Sequence, residues 1–320
     1  MIYQLTVLPN GLRVISEELP HVRSVAVGIW VGAGSRHEPP ELAGVSHFIE
    51  HLLFKGTEWR TARQIAEEMD AIGGQLNAFT GKECTCFYAR VLDEHFARAV
   101  DILAEMVLHP RLDPGDIEKE KNVVAEEIAM YEDTPEDLVH DVLGLALWPR
   151  DGLGRPVQGF ASTVRALTRA EVLAYYERFY TPGNMVVAAA GNVAHERVVA
   201  EVARRFAGRA GRADLGPAGR PVAAPGSVYR EKDIEQIHLC LGVASVPLGD
   251  PRLQALYLLS NILGGGTSSR LFQEIREERA LAYSVYSFHS AFRDAGLTGV
   301  YLATSPASAA EAFRLARAEI

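Results

Sequence analysis

The feature that most constrains how this chain can fold is an order of elements that occurs twice. In the first half an alternating strand (Val22 to Gly32) leads to a helix bearing two histidines. A second helix (Thr61 to Ile72), a strand pair (Gln75 to Leu92) and a further helix (Glu94 to Val107) follow. In the second half Ile237 to Val243 reads as a strand, Leu253 to Leu263 and Ser269 to Glu278 as helices, Tyr283 to Thr304 as strands and Ala307 to Ile320 as a helix. A repeat this long implies two copies of one unit, each packing helices on a sheet. The expected fold is therefore α+β, two homologous α/β sandwich-like halves closing as a clamshell. Between them residues 207–228 are rich in Gly, Pro and Ala without periodic apolar positions, so they read as a linker. The expected domains are 1–206, the linker 207–228, and 229–320. The first copy runs on through Pro135 to Leu147, Thr168 to Tyr180, a strand at Met185 to Gly191 and a helix at Glu196 to Phe206. The second copy stops about a hundred residues sooner and is expected to be incomplete.

The first copy carries His47-Phe48-Ile49-Glu50-His51. Four residues advance an α-helix by roughly 400°, so His47 and His51 project from one face, with Glu50 on its flank. Pro39, Pro40 and Gly44 precede the run and Lys55-Gly56 ends it, as helix boundaries do. Phe48, Ile49, Leu52 and Leu53 would anchor it to the core. Two imidazoles and a carboxylate so spaced are the makings of a hydrolytic zinc site. The same positions in the second copy read Leu256-Tyr257-Leu258-Leu259-Ser260-Asn261, which offers no such ligands.

Catalytic zinc takes three protein ligands and leaves a fourth position for water, so one more ligand is required. Asp116 to Ile128 follows Pro114 and reads as a helix in which Glu120 and Glu127 lie two turns apart on one face. One of them would ligate and the other support it, with Glu127 the better candidate for the metal.

These residues together resemble the M16 peptidases, whose H-x-x-E-H motif is followed by a distant Glu. Glu120-Lys121-Asn122-Val123-Val124-Ala125-Glu126-Glu127 resembles the segment that carries that ligand, and the 76-residue step from His51 selects Glu127 over Glu126. Gly73-Gly74-Gln75-Leu76-Asn77-Ala78-Phe79-Thr80 to Thr85 is similar to a further family segment, and Arg276 and Tyr283 match a pair in its second domain. The resemblance implies a zinc endopeptidase of the processing-peptidase branch, with one Zn²⁺ per chain on His47, His51 and Glu127. It implies substrate contacts from Asn77, Ala78, Arg276 and Tyr283, and either a homodimer or a heterodimer with a related subunit. A non-catalytic subunit that pairs with another chain is the competing reading, and retention of His47, Glu50, His51 and Glu127 weighs against it.

In such a site the metal activates a bound water and polarises the scissile carbonyl. Glu50 would act as the general base, and Glu120 would accept from a ligating imidazole to fix its tautomer. Gln75 to Thr80 alternates as a strand does, so an extended substrate could add to it.

Composition fits a globular enzyme: 48% of residues are hydrophobic and 23% charged. A net charge of −9 without a basic cluster argues against a nucleic-acid partner. Acidic residues gather from Asp113 through Glu118, Glu120, Glu126, Glu127, Glu132, Asp133, Glu136 and Asp137, which would favour Arg- and Lys-containing stretches of the expected substrate, a peptide or unfolded protein segment. No basic segment followed by a long apolar stretch opens the chain, and no apolar run could span a bilayer, so a cytoplasmic location is expected. Cys84, Cys86 and Cys240 form no disulfide framework; Cys84 and Cys86 are expected on one strand face, as buried thiols. Gly264 to Ser269 lacks the lysine of a phosphate loop and reads as a helix connection. The remaining histidines are expected to be structural.

Overall fold

The computed structural model describes residues 3–211 and 219–320. Of the expected linker, positions 212–218 lie outside the described residues, and those on either side adopt neither helix nor strand. The chain divides into two compact units, Met1–Ile128 with Pro156–Pro217, and Ala129–Arg155 with Ala218–Ile320.

The first unit is built on six strands: β1 (Gln4–Val7), β2 (Arg13–Glu18), β3 (Ser24–Val31), β4 (Gln75–Thr80), β5 (Thr85–Leu92) and β6 (Met185–Gly191). Their order is β1-β2-β6-β3-β5-β4, antiparallel except where β2 meets β6. Period-2 alternation decides which face is covered: Val25, Val27, Ile29 and Val31 of β3 are buried while Ser24, Ala26 and Trp30 are exposed. The helices of this unit are α1 (Val45–Leu53), α2 (Ala62–Ala71), α3 (Phe96–Leu108), α4 (Pro114–Glu132, whose last turn belongs to the second unit), α6 (Ala161–Ala166), α7 (Arg169–Phe179) and α8 (His195–Phe206). Intervening α5 (Pro135–Leu147) lies in the second unit. Helix α3 packs on β3 and β5, α8 on β2, and α1 on β4 and β5. Phe48, Ile49, Leu52 and Leu53 of α1 are buried, each worth about 1.5–3 kcal/mol of transfer free energy, so this helix is fixed before any metal binds.

In the second unit β7 (Ile237–Ser245), α9 (Leu253–Gly264), a π-helical turn (Phe272–Glu277), β8 (Ala282–Ala291), β9 (Gly296–Thr304) and α10 (Ala309–Glu319) follow one another. The sheet order β7-β9-β8 repeats β3-β5-β4 of the first unit. The helix expected over Ser269 to Glu278 is therefore partly a π-turn. Compared with the boundaries expected from sequence, residues 129–155 group with the second half. Helix α5 packs against β7, and Leu147, Trp148 and Leu153 share a cluster with Ala295 and Leu297. Cys84 lies in the turn before β5 and is half-buried, as is Cys240, while Cys86 is buried; all three are free thiols. This corrects the expectation that Cys84 and Cys86 are both buried on one strand face, because Cys84 falls in the turn before β5.

Candidate metal centre

Helix α1 starts where backbone and carboxylate contacts leave it little freedom. Gly44 precedes it with φ of +97°, a conformation that disfavours side chains, and a Cβ there would lie 2.4 Å from the Gln158 carbonyl oxygen. The buried Glu38 carboxylate accepts from Gly44 N at 2.7 Å and Ser46 N at 2.8 Å, taking the place of an N-cap. Ser46 Oγ is bonded to Tyr175 Oη of α7 at 2.9 Å.

From this fixed start His47 and His51 project together, their ring centroids 4.6 Å apart. Glu127, on α4, meets both: Oε1 lies 3.6 Å from His47 Nε2, and Oε2 lies 3.3 Å from His51 Nε2. One ligand atom from each residue falls within 4.8 Å of the others, the one such group among the described residues. A tetrahedral ion with bonds of about 2.0–2.1 Å sets its ligand atoms roughly 3.3–3.4 Å apart, so the donor types and the spacing fit zinc. Neighbouring Glu126 is exposed, whereas Glu127 faces the histidines.

Glu120 is 3% exposed and accepts the Nδ1–H of His51 at 3.0 Å, leaving Nε2 directed at the cluster. Lys55 Nζ lies 2.7 Å from the other Glu120 oxygen. Burial disfavours the charged form of His51, but its hydrogen bonds to Glu120 and Glu127 outweigh burial and carry the imidazole up to about 9. His47 goes the other way: burial, reinforced by His51, pushes it down to about 4 against the pull of Glu127. Its buried Nδ1 has no hydrogen-bond partner among the described residues. The bond from His51 holds Glu127 below the usual carboxylate range, with burial opposing.

Glu50 stands beside the ligands and outside the group. Burial raises its proton affinity, partly offset by the hydroxyl of Thr80, which donates to Oε2. Asn77 and Ala78 lie on β4, which among the described residues pairs only with β5, at the end of the sheet. Arg276 and Tyr283 lie in the second unit and meet each other: the guanidinium stacks 4.4 Å from the Tyr283 ring and donates to its carbonyl at 2.6 Å. Sequence reasoning left Thr80, Lys55 and Gln158 unassigned. Thr80 stood within a recognised segment, but nothing in its spacing pointed at Glu50. Gln158 Nε2 donates to Glu127 Oε1 at 3.0 Å. Elsewhere His195 is tied to Ser16 Oγ at 2.7 Å and Thr6 Oγ1 at 2.8 Å, a structural histidine.

Residues 13–159 match the family profile described as insulinase (peptidase family M16), and residues 166–320 that of the peptidase M16 inactive domain. The chain belongs to peptidase family M16. Among relatives of this M16 chain is YmxG of Bacillus subtilis, named an uncharacterized zinc protease, 46% identical over 91% of this chain and 71% of its own. An uncharacterized zinc protease of Mycobacterium leprae is 49% identical over 97% of this chain and 71% of its own. Two solved structures share the fold. A peptidase M16 inactive domain from Pseudomonas fluorescens superposes with a TM-score of 0.88 at 23% identity, covering 100% of this chain and 78% of that one. A protease from Helicobacter pylori gives 0.89 at 22% identity, covering 98% and 78%. No described helix of the M16 chain is long and apolar enough to cross a membrane.

Proposed function

We propose that this chain is a zinc-dependent endopeptidase that hydrolyses peptides or unfolded protein segments, with one zinc per chain on His47, His51 and Glu127. The observation that carries the reading is the convergence of those three ligand atoms within 4.8 Å, with Glu50 one residue from a ligand and outside the set. The names of the relatives support zinc as the metal. Bound zinc supplies an activated water and a Lewis acid for the scissile carbonyl. Glu50 would act as the general base, holding a proton at its carboxylate and passing it to the leaving amine; its burial and raised proton affinity suit that role. Glu120 holds His51 in the tautomer that presents Nε2.

An extended substrate adds to β4 at the end of the sheet, with Asn77 and Ala78 meeting its backbone. Arg276 and Tyr283 are proposed as further substrate contacts, and the 75% exposure of Tyr283 leaves its ring available for contact. The net charge of −9 and the acidic run around Glu120 and Glu127 support a preference for basic peptides. The match to the inactive-domain profile supports pairing with a second M16 chain, a copy of this one or a related subunit, in the manner of the processing-peptidase branch.

Zinc content and cleavage of a quenched basic peptide, measured for wild type beside Glu50→Gln, test this reading. Wild type should bind about one zinc and cleave, while Glu50→Gln binds zinc and does not cleave. Zinc bound without cleavage by wild type, alone or mixed with a related subunit, would instead favour a non-catalytic subunit.

A further inference from the structure

The third member of the ligand group stands on a different helix from the first two, and besides the two histidines of α1 its carboxylate meets a side chain from the loop before α6. Gly159 sits at φ +72°, and a Cβ there would lie 2.1 Å from the carbonyl oxygen of Ala43. Gly44 in turn approaches the Gln158 carbonyl, so the backbones of residues 43–44 and 158–159 touch without side chains between them. Thr163 Oγ1 donates to Ala43 O at 2.6 Å and so fastens the same junction from α6. Beyond it Glu38 clamps the first turn of α1 through two backbone N–H groups. Gln158 is thereby mounted on the start of the helix that carries His47 and His51, and its side chain reaches across to Glu127 Oε1 at 3.0 Å.

A carboxylate only accepts hydrogen bonds, so the amide must present its NH₂ to Glu127. A neutral donor restrains the carboxylate without adding charge to the ligand group. The arrangement differs from that at Glu120, which is held by the Lys55 ammonium.

We propose that Gln158 is a positioning residue for the metal: it fixes the Glu127 carboxylate in register with His47 and His51, so that the three ligands are arranged before an ion arrives. This rests on the metal centre proposed above, and it adds a residue that none of the sequence motifs contains. Outer partners of metal ligands typically contribute 10–100-fold in affinity, and the same range is expected here.

The test compares wild type with Gln158→Leu and Gln158→Met, both close in volume and neither a donor. Zinc affinity is read by competition with a chromophoric chelator, the visible spectrum is read on the cobalt(II) form, and the melting temperature on the metal-free protein. The expected result is zinc binding weakened about 10–100-fold and altered cobalt bands, with the metal-free melting temperature unchanged. Should Gln158→Leu disturb the metal-free fold, Gln158→Met carries the comparison. Unchanged affinity and an unchanged cobalt spectrum in a folded variant would overturn the role of Gln158 and leave the peptidase reading standing. Failure of wild type itself to bind zinc would overturn both. Because the readout is metal affinity, loss of cleavage for any other reason does not count in its favour.

Discussion

Helices α1 and α9 hold corresponding places in the two repeats, each following the strand that pairs with the middle of a three-strand set, yet their surroundings differ. Around α1 almost every side chain is buried, against β4, β5 and α7. On α9 Leu258 is 67% exposed and Ile262 60% exposed, and the main contact of the helix is β8. The difference separates two demands on one architecture. On the proposed reading α1 holds two metal ligands and a base, and such a helix has to be immobilised from all sides. A helix without ligands needs only enough burial to stay on its sheet.

The largest expected effect breaks the comparison at the metal. His47→Ala should reduce zinc from about one per chain to almost none, whereas Tyr257→Ala on α9 should leave zinc unchanged; elemental analysis of both decides it. Glu50→Gln should keep the zinc and lose about 10²–10⁴-fold in turnover. Zinc retained by His47→Ala would mean that the ion sits elsewhere.

Next comes stability. Removing the Phe48 ring from α1, where it is fully buried, should cost about 3–5 kcal/mol, while Leu258→Ala on α9 should change stability by less than about 0.5 kcal/mol. Urea melts of the two variants measure the asymmetry. A cost at Leu258 as large as that at Phe48 would show that the α9 face is covered in solution.

A smaller effect is the pH dependence of zinc affinity, which α1 should show and α9 cannot. Zinc requires neutral imidazoles, and without metal the carboxylates hold a proton on His51 up to about pH 9. Below that pH each zinc displaces one proton, so apparent affinity should rise about tenfold per pH unit. His47, pushed down to about 4, adds no second proton above that pH. Without metal the sign reverses for stability: His51 has a raised folded value, so its contribution is full below about 6.5 and fades as pH rises through 9. Chelator competition between pH 6 and 8 reads the slope. Glu120→Gln should flatten it and weaken zinc, and an unchanged affinity would remove Glu120 from its supporting role.

What could be read in advance follows from distance along the chain. The two histidines on one helical face and the two-turn step from Glu120 to Glu127 are local geometry, and the structure places all four residues together. Repetition of β3-β5-β4 as β7-β9-β8 was legible because strand and helix periodicities survive in both copies. Grouping of residues 129–155 with the second half was not, because the apolar stripe of α5 looks the same whichever sheet receives it. Gln158 was hidden for a related reason: its place depends on two backbones meeting at Gly44 and Gly159, a contact that leaves no periodic mark.

The smallest effect lies in the joint between sheet and helix, where both repeats use a hydroxyl. In the first, Thr80 of β4 donates to Glu50 on α1; in the second, Ser287 of β8 lies 2.9 Å from Ser260 Oγ on α9 and donates to its carbonyl at 2.5 Å. One joint holds a titratable group and the other holds backbone. The Thr80 bond favours the charged form of Glu50 against burial, so Thr80→Val should raise the proton affinity of that carboxylate further. A general base must be ionised before it can act, so the acid limb of the pH–rate profile should move to higher pH while the plateau changes little. Ser287→Ala should cost about 1 kcal/mol of stability, a typical net hydrogen bond, and leave the profile where it was. An acid limb that stays put in Thr80→Val would mean that its hydroxyl serves Glu50 only as packing, and the two joints would then be alike.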